Sequence, residues 1–186
     1  MPVQPKSNPL LEEGAKSYPQ ALLALSDFGQ QVQDMCCAAM KRHLTELGDA
    51  LGLPLQAKQV KPFAGPSSLS SGNIDGTWAS LGAKIGRPSG AKCDLWNYIW
   101  WGDDTPPLNA VVSLSFADPE VAERAWASMR HPGSCDFDED EREIHHSRPL
   151  EPADLTQLEA ILDEMNREWI ALWQKVGGVK QFLGKR

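Results

Sequence analysis

The sequence predicts an α+β fold: an antiparallel sheet of about four strands packed by a long N-terminal helix, a middle helix and a C-terminal helix. Three observations carry that expectation. Apolar residues recur at helical spacing in three separate stretches, alternating runs lie between the first two, and the connections between those runs are too short for parallel crossovers. A chain of 186 residues suits one domain with a substantial core.

Met1 to Lys16 is polar and broken by Pro2, Pro5 and Pro9. Residues 1–17 are therefore expected to be a flexible arm, and 18–186 one domain. From Pro19 the residues Leu22, Leu25, Phe28, Val32, Met35, Ala39, Leu44, Leu47 and Leu51 form one apolar stripe, so a single helix is expected up to the stop signal Gly52-Leu53-Pro54. The Pro-, Ser- and Gly-rich stretch 61–76 reads as an irregular loop. Strands are expected at Thr77–Ile85, Cys93–Trp101 and Ala110–Phe116, joined by the turn sequences Arg87–Gly90 and Gly102–Pro107. Asp118-Pro119-Glu120 is a helix start, with Asp as N-cap and Pro in the first turn. A strand from Glu143 to Leu150 and a helix from about Pro152 to Gly177-Gly178 complete the pattern.

The net charge of −7 makes direct nucleic-acid binding an unfavourable reading, because such binding rests on Lys and Arg neutralising phosphates. It suits a protein partner, one that is itself basic or nucleic-acid-binding. With no apolar run of membrane length and no signal-peptide pattern, a cytoplasmic protein without membrane attachment is expected. Cys36, Cys37, Cys93 and Cys135 then read as reduced thiols.

Cys93–Trp101 concentrates the aromatic residues. In a strand, Trp96, Tyr98 and Trp100 share one face and Leu95, Asn97, Ile99 and Trp101 the other. Two accounts fit. Trp96, Tyr98 and Trp100 are core, covered by Trp169 and Trp173 of the last helix, or they form a platform with Ser113 and Ser115 for a partner or a second subunit. The acidic residues Asp136, Asp138, Glu139 and Asp140 are the other candidate binding group, expected in a solvated loop.

Several chemical sites are disfavoured by residue type and spacing. Gly102-Asp103-Asp104 before Thr105-Pro106-Pro107 is turn composition, with none of the basic residues a polymerase metal hairpin needs around it. Asp136, Asp138 and Asp140 match the start of an EF-hand loop, but Glu141 replaces its glycine and Ser147 its last carboxylate. His131, Cys135, His145 and His146 include zinc-ligand types, yet His145 and His146 would point to opposite faces of a strand. No nucleophile motif or phosphate loop is present, so neither metal nor cofactor is expected.

The alternating strand Glu143–Leu150 followed by a helix with Leu155, Leu158 and Leu162 resembles the layout of type III secretion chaperones, over roughly the last hundred residues. That resemblance implies a small acidic protein-binding module, and a possible homodimer. The expected function is accordingly a non-catalytic module, chaperone-, adaptor- or inhibitor-like. The alternatives are a defence or anti-defence factor that occupies a nucleic-acid site with its acidic surface, and a small hydrolase or transferase built from Asp103, Asp104, His131 and His145.

Overall fold

The computed structural model describes residues 9–52, 54–64, 79–86, 93–101, 108–129 and 133–183. The chain divides into two units, Met1–Gln31 and Val32–Arg186. In the first, the described residues are all helical, starting within the stretch expected to be an arm. The second unit holds the sheet and the remaining helices.

Helix α1 spans Pro9–Arg42 and α2 spans Leu44–Leu51. The single helix expected here is interrupted at His43, whose backbone leaves the helical region at φ −102° and ψ 12°. Its side chain supplies the reason. His43 Nε2 lies 3.2 Å from Asp163 Oδ1, a carboxylate that also takes Arg42, at 2.8 Å. Gly52 ends α2 with φ +69°, the left-handed cap that a Cβ disfavours.

Among the described residues the sheet has six antiparallel strands in the order β1-β2-β3-β4-β6-β5, so the expectation of about four is corrected. They are β1 (Val60–Ala64), β2 (Ala79–Ile85), β3 (Cys93–Trp101), β4 (Leu108–Phe116), β5 (Cys135–Asp138) and β6 (Glu143–Pro149). The first additional strand, β1, occupies the start of the expected loop; residues 65–76 lie outside the described ones. Its Pro62 is tolerated because β1 is an edge strand. The second, β5, lies inside the acidic run, where Cys-Asp-Phe-Asp alternates beneath the charge. Both turn sequences, Arg87–Gly90 and Gly102–Pro107, also fall outside the described residues.

Helix α3 (Pro119–Ser128) starts as expected, with Asp118 Oδ1 accepting from the Glu120 N–H at 3.1 Å. Helix α4 (Leu158–Lys175) is preceded by a tighter 3₁₀ turn, Pro152–Gln157, and stops at Gly177 and Gly178.

Register assigns each strand residue to a face. Ile85, Leu95, Leu114 and Ile144 lie side by side, as do Ala83, Asn97, Val112 and His146, and all eight are buried. Helices α3 and α4 meet the sheet on this face. Trp173 packs on Phe116, Trp126 stacks on Phe137, Glu168 bonds His146, and Glu164 bonds Arg148. Trp169 and Trp173 therefore lie in the core on the face opposite Trp96, Tyr98 and Trp100, and do not cover them.

Gly82 allows a close approach within the sheet. A Cβ there would stand 2.2 Å from the Asn97 carbonyl oxygen and 2.6 Å from Tyr98 Cα, both backbone atoms. Phe63 and Tyr98, on either side of it, meet across it with ring centres 5.9 Å apart. Gly82→Val should lower stability in urea unfolding by about 1–3 kcal/mol, the usual cost of forcing volume into a packed site.

Candidate binding surface

The face away from α3 and α4 has a different composition. Residues Leu95, Asn97 and Ile99 are 2%, 1% and 0% exposed, whereas Trp96, Tyr98 and Trp100 between them are only half-buried. Phe63 joins them from β1, its ring edge-on to Trp96 with centres 4.9 Å apart. The Lys84 ammonium stands over the Trp96 ring, 5.0 Å from its centre. Trp96 Nε1 donates to Ser115 Oγ at 3.3 Å, so the ring is oriented by a hydrogen bond as well as by contact.

Beneath this layer is a polar pair. The Tyr98 hydroxyl donates to Glu143 Oε1 at 2.9 Å, across β4. Burial pushes the Glu143 carboxyl above its ordinary range; the neighbouring Ser113 and Tyr98 hydroxyls and His145 oppose this, and Asp138 adds to it. Burial, and then the Glu143 charge, raise the Tyr98 phenol. Both groups hold their protons more tightly than they would in water, so the pair is a hydrogen-bonded support and Tyr98 stays neutral.

The acidic candidates divide by location. Asp136 and Asp138 stand exposed on β5, on the same face as the aromatic row, while Glu139 and Asp140 lie in the turn to β6. Part of the expected loop is thus strand. Asp138 Oδ1 accepts from the Glu141 N–H at 2.9 Å, and Arg142 completes the turn with φ +55°. One line of paired residues crosses the whole face, running Lys61, Lys84, Trp96, Ser113, His145, Asp136. It is cationic at the β1 end, aromatic in the middle and anionic at the β5 end.

His145 and His146 do point to opposite faces, as the strand alternation requires. Register also brings Cys135 beside His146, with Sγ 3.9 Å from Nδ1, while His146 Nε2 contacts Glu168 Oε2 at 2.7 Å. Sequence reasoning missed this Cys-His-Glu series, since only the hairpin register joins residues that far apart. It is a poor nucleophile. Burial pushes the Cys135 thiol up to about 11, leaving little thiolate at neutral pH, and the Ser134 carbonyl also lies 3.3 Å from the same His146 Nδ1. Cys36, Cys37 and Cys93 are unpaired and buried, with the Cys93 thiol pushed up to about 12, again chiefly by burial. Among the described residues no cluster of His, Cys, Asp and Glu is arranged to hold a metal, and no helix is long and apolar enough to cross a membrane. Asp103, Asp104 and His131 lie outside the described residues.

Ser115 lies beside the rings as expected; Phe63, Lys84 and Glu143 complete the face, and no spacing in the sequence announces them. Comparison with protein-family models, with curated proteins and with solved structures finds no match to this chain.

The raised Glu143 carboxyl gives a pH signature. Its ionisation opposes folding, so its penalty is absent well below the ordinary carboxylate pKa of about 4.3 and grows as pH rises through the higher folded value. Glu143→Gln should therefore gain stability over the wild type at pH 8, with the difference shrinking towards pH 4 in paired urea titrations.

Proposed function

We propose that this chain is a non-catalytic, acidic interaction protein that works by binding another macromolecule on the aromatic face of its sheet. The carrying observation is the asymmetry of that sheet. Helices α3 and α4 pack on one face, while the other presents Phe63, Trp96, Tyr98 and Trp100 half-buried in one layer. Large, oriented aromatic rings with polar handles lose little side-chain entropy on binding, which makes them effective anchors. The exposed carboxylates of Asp136, Asp138, Glu139 and Asp140 lie at one border, where they favour a contact carrying positive charge. The net charge of −7 favours a protein over a nucleic acid.

Substitution separates binding from folding. Trp96→Ser and Trp100→Ser should cost well under the roughly 3–5 kcal/mol of a buried tryptophan, and Ile99→Ala should cost about 2–5 kcal/mol. Tagged wild-type chain should retain a stoichiometric partner from native lysate, and both Trp variants should lose it while melting near the wild-type temperature. Trp variants that fail to fold, or that keep the partner, would contradict the proposal.

A further inference from the structure

We infer that the occupant of the aromatic face is a second copy of this chain, in a two-fold pair whose axis runs along the strands between β3 and β4. This takes the face as a contact surface, as proposed above, and names what fills it.

Shape comes first. On this face the β3 rings lean over β4: Trp96 Nε1 reaches Ser115 Oγ, and the Tyr98 hydroxyl reaches Glu143 on β6. Val111 and Ser113 of β4 are 4% and 0% exposed, so one aromatic layer covers β3 and β4 alike and is centred on their boundary. Under a two-fold axis at that boundary the layer meets its own copy, ring layer on ring layer. Rotation about that axis keeps the position along the strand and reverses the strand order. β3 is brought over the partner's β4, so the two aromatic layers face each other and Trp100 stands over the partner's Asn109.

Charge gives the same answer independently. The line Lys61, Lys84, Trp96, Ser113, His145, Asp136 is antisymmetric about the β3–β4 boundary, with its cations at one end and its carboxylate at the other. Under the same rotation exposed Lys61 meets the partner's Asp136, and Lys84 meets the partner's His145, with the partner's Asp138 one strand across and one step along. A two-fold axis across the strands would instead place lysine over lysine. Sheets packed face to face stay within about 30° of parallel, so these facing relations survive the twist. Five strand spacings of about 4.8 Å and strands about 23 Å long give a flat area on the order of 550 Å² per copy. Side-chain relief enlarges this towards the roughly 800 Å² per partner of a standard interface. Nucleic acid would meet Asp94, Asp136, Asp138 and Glu143 on this face, and a basic peptide would meet Lys61 and Lys84.

Sedimentation equilibrium of the purified full chain tests this, with charge reversals at the two borders. The wild type should dimerise below about 100 μM. Lys61→Glu with Lys84→Glu in one chain, and Asp136→Lys with Asp138→Lys in another, should each weaken self-association by about tenfold or more. A mixture of those two chains should recover dimers at wild-type strength. Circular dichroism spectra of both should match the wild type well below the melting transition, with a modest drop in melting temperature from losing the Lys84–Trp96 contact or the Asp138 turn bond. A wild type that is monomeric at about 100 μM would overturn the inference, as would a dimer indifferent to both reversals and to Trp100→Ser. A monomer that still loses a captured partner on Trp100→Ser would overturn the second copy alone and leave the proposed binding function standing.

Discussion

The packing of α3 and α4 on one face of the sheet is the constraint on which the rest of this structure depends. An antiparallel sheet can bury one face and leave the other to meet water or a partner. Here α3 and α4 bury Leu95, Ile99, Leu114, Ile144 and their neighbours, each side chain worth about 1.5–3 kcal/mol when fully removed from water. The connection between helices and sheet is partly polar. His146, 4% exposed, and Arg148 both bond to Glu168, and Arg148 also to Glu164, which pins α4 across β6. In the first two turns of α4, Glu159 and Asp163 take Arg42, and Asp163 also takes His43, linking it to the end of α1. Those pairs are partly exposed and contribute little each, so they fix geometry more than they stabilise it.

The aromatic face follows from the same constraint. A row of Leu or Ile there would be an exposed apolar patch with no orientation. Trp96, Tyr98 and Phe63 instead hold one another edge-on, and Trp96 and Tyr98 anchor their polar ends on Ser115 and Glu143. Placing Glu143 under the rings raises its pKa by burial and ties Tyr98 to β6 across the width of β4. Gly82 contributes by having no side chain, which lets the rings on either side close over β2. The face is thereby ordered before anything binds, and preorganisation lowers the entropic cost of association.

How much of this was legible in the sequence depended on how local each signal was. The α+β class, strand β3, the N-cap at Asp118 and the stop at Gly177-Gly178 were readable because alternation, capping chemistry and left-handed glycines act within a few residues. The half-exposed side of β3 was readable as a face, since Trp96, Tyr98 and Trp100 follow a period of two. Strands β1 and β5 were not readable. Val60–Ala64 contains a proline and Cys135–Asp138 sits in a run of carboxylates, and each becomes a strand through pairing with a neighbour. The break at His43 was hidden for a similar reason, because its partner Asp163 belongs to another helix. Which tryptophans face which layer also depended on register: Trp169 and Trp173 fit either side by spacing, and only packing against Phe116 assigns them to the core.

Site-resolved oxidative labelling tests this packing of α3 and α4 on one face most directly, because it reports on each tryptophan in the unaltered protein. In dilute solution Trp96 and Trp100 should be modified readily and Trp169 and Trp173 hardly at all, and raising the protein concentration should protect the first pair alone. Equal protection of all four tryptophans in dilute folded protein would contradict the account, because it would mean that the aromatic row is core.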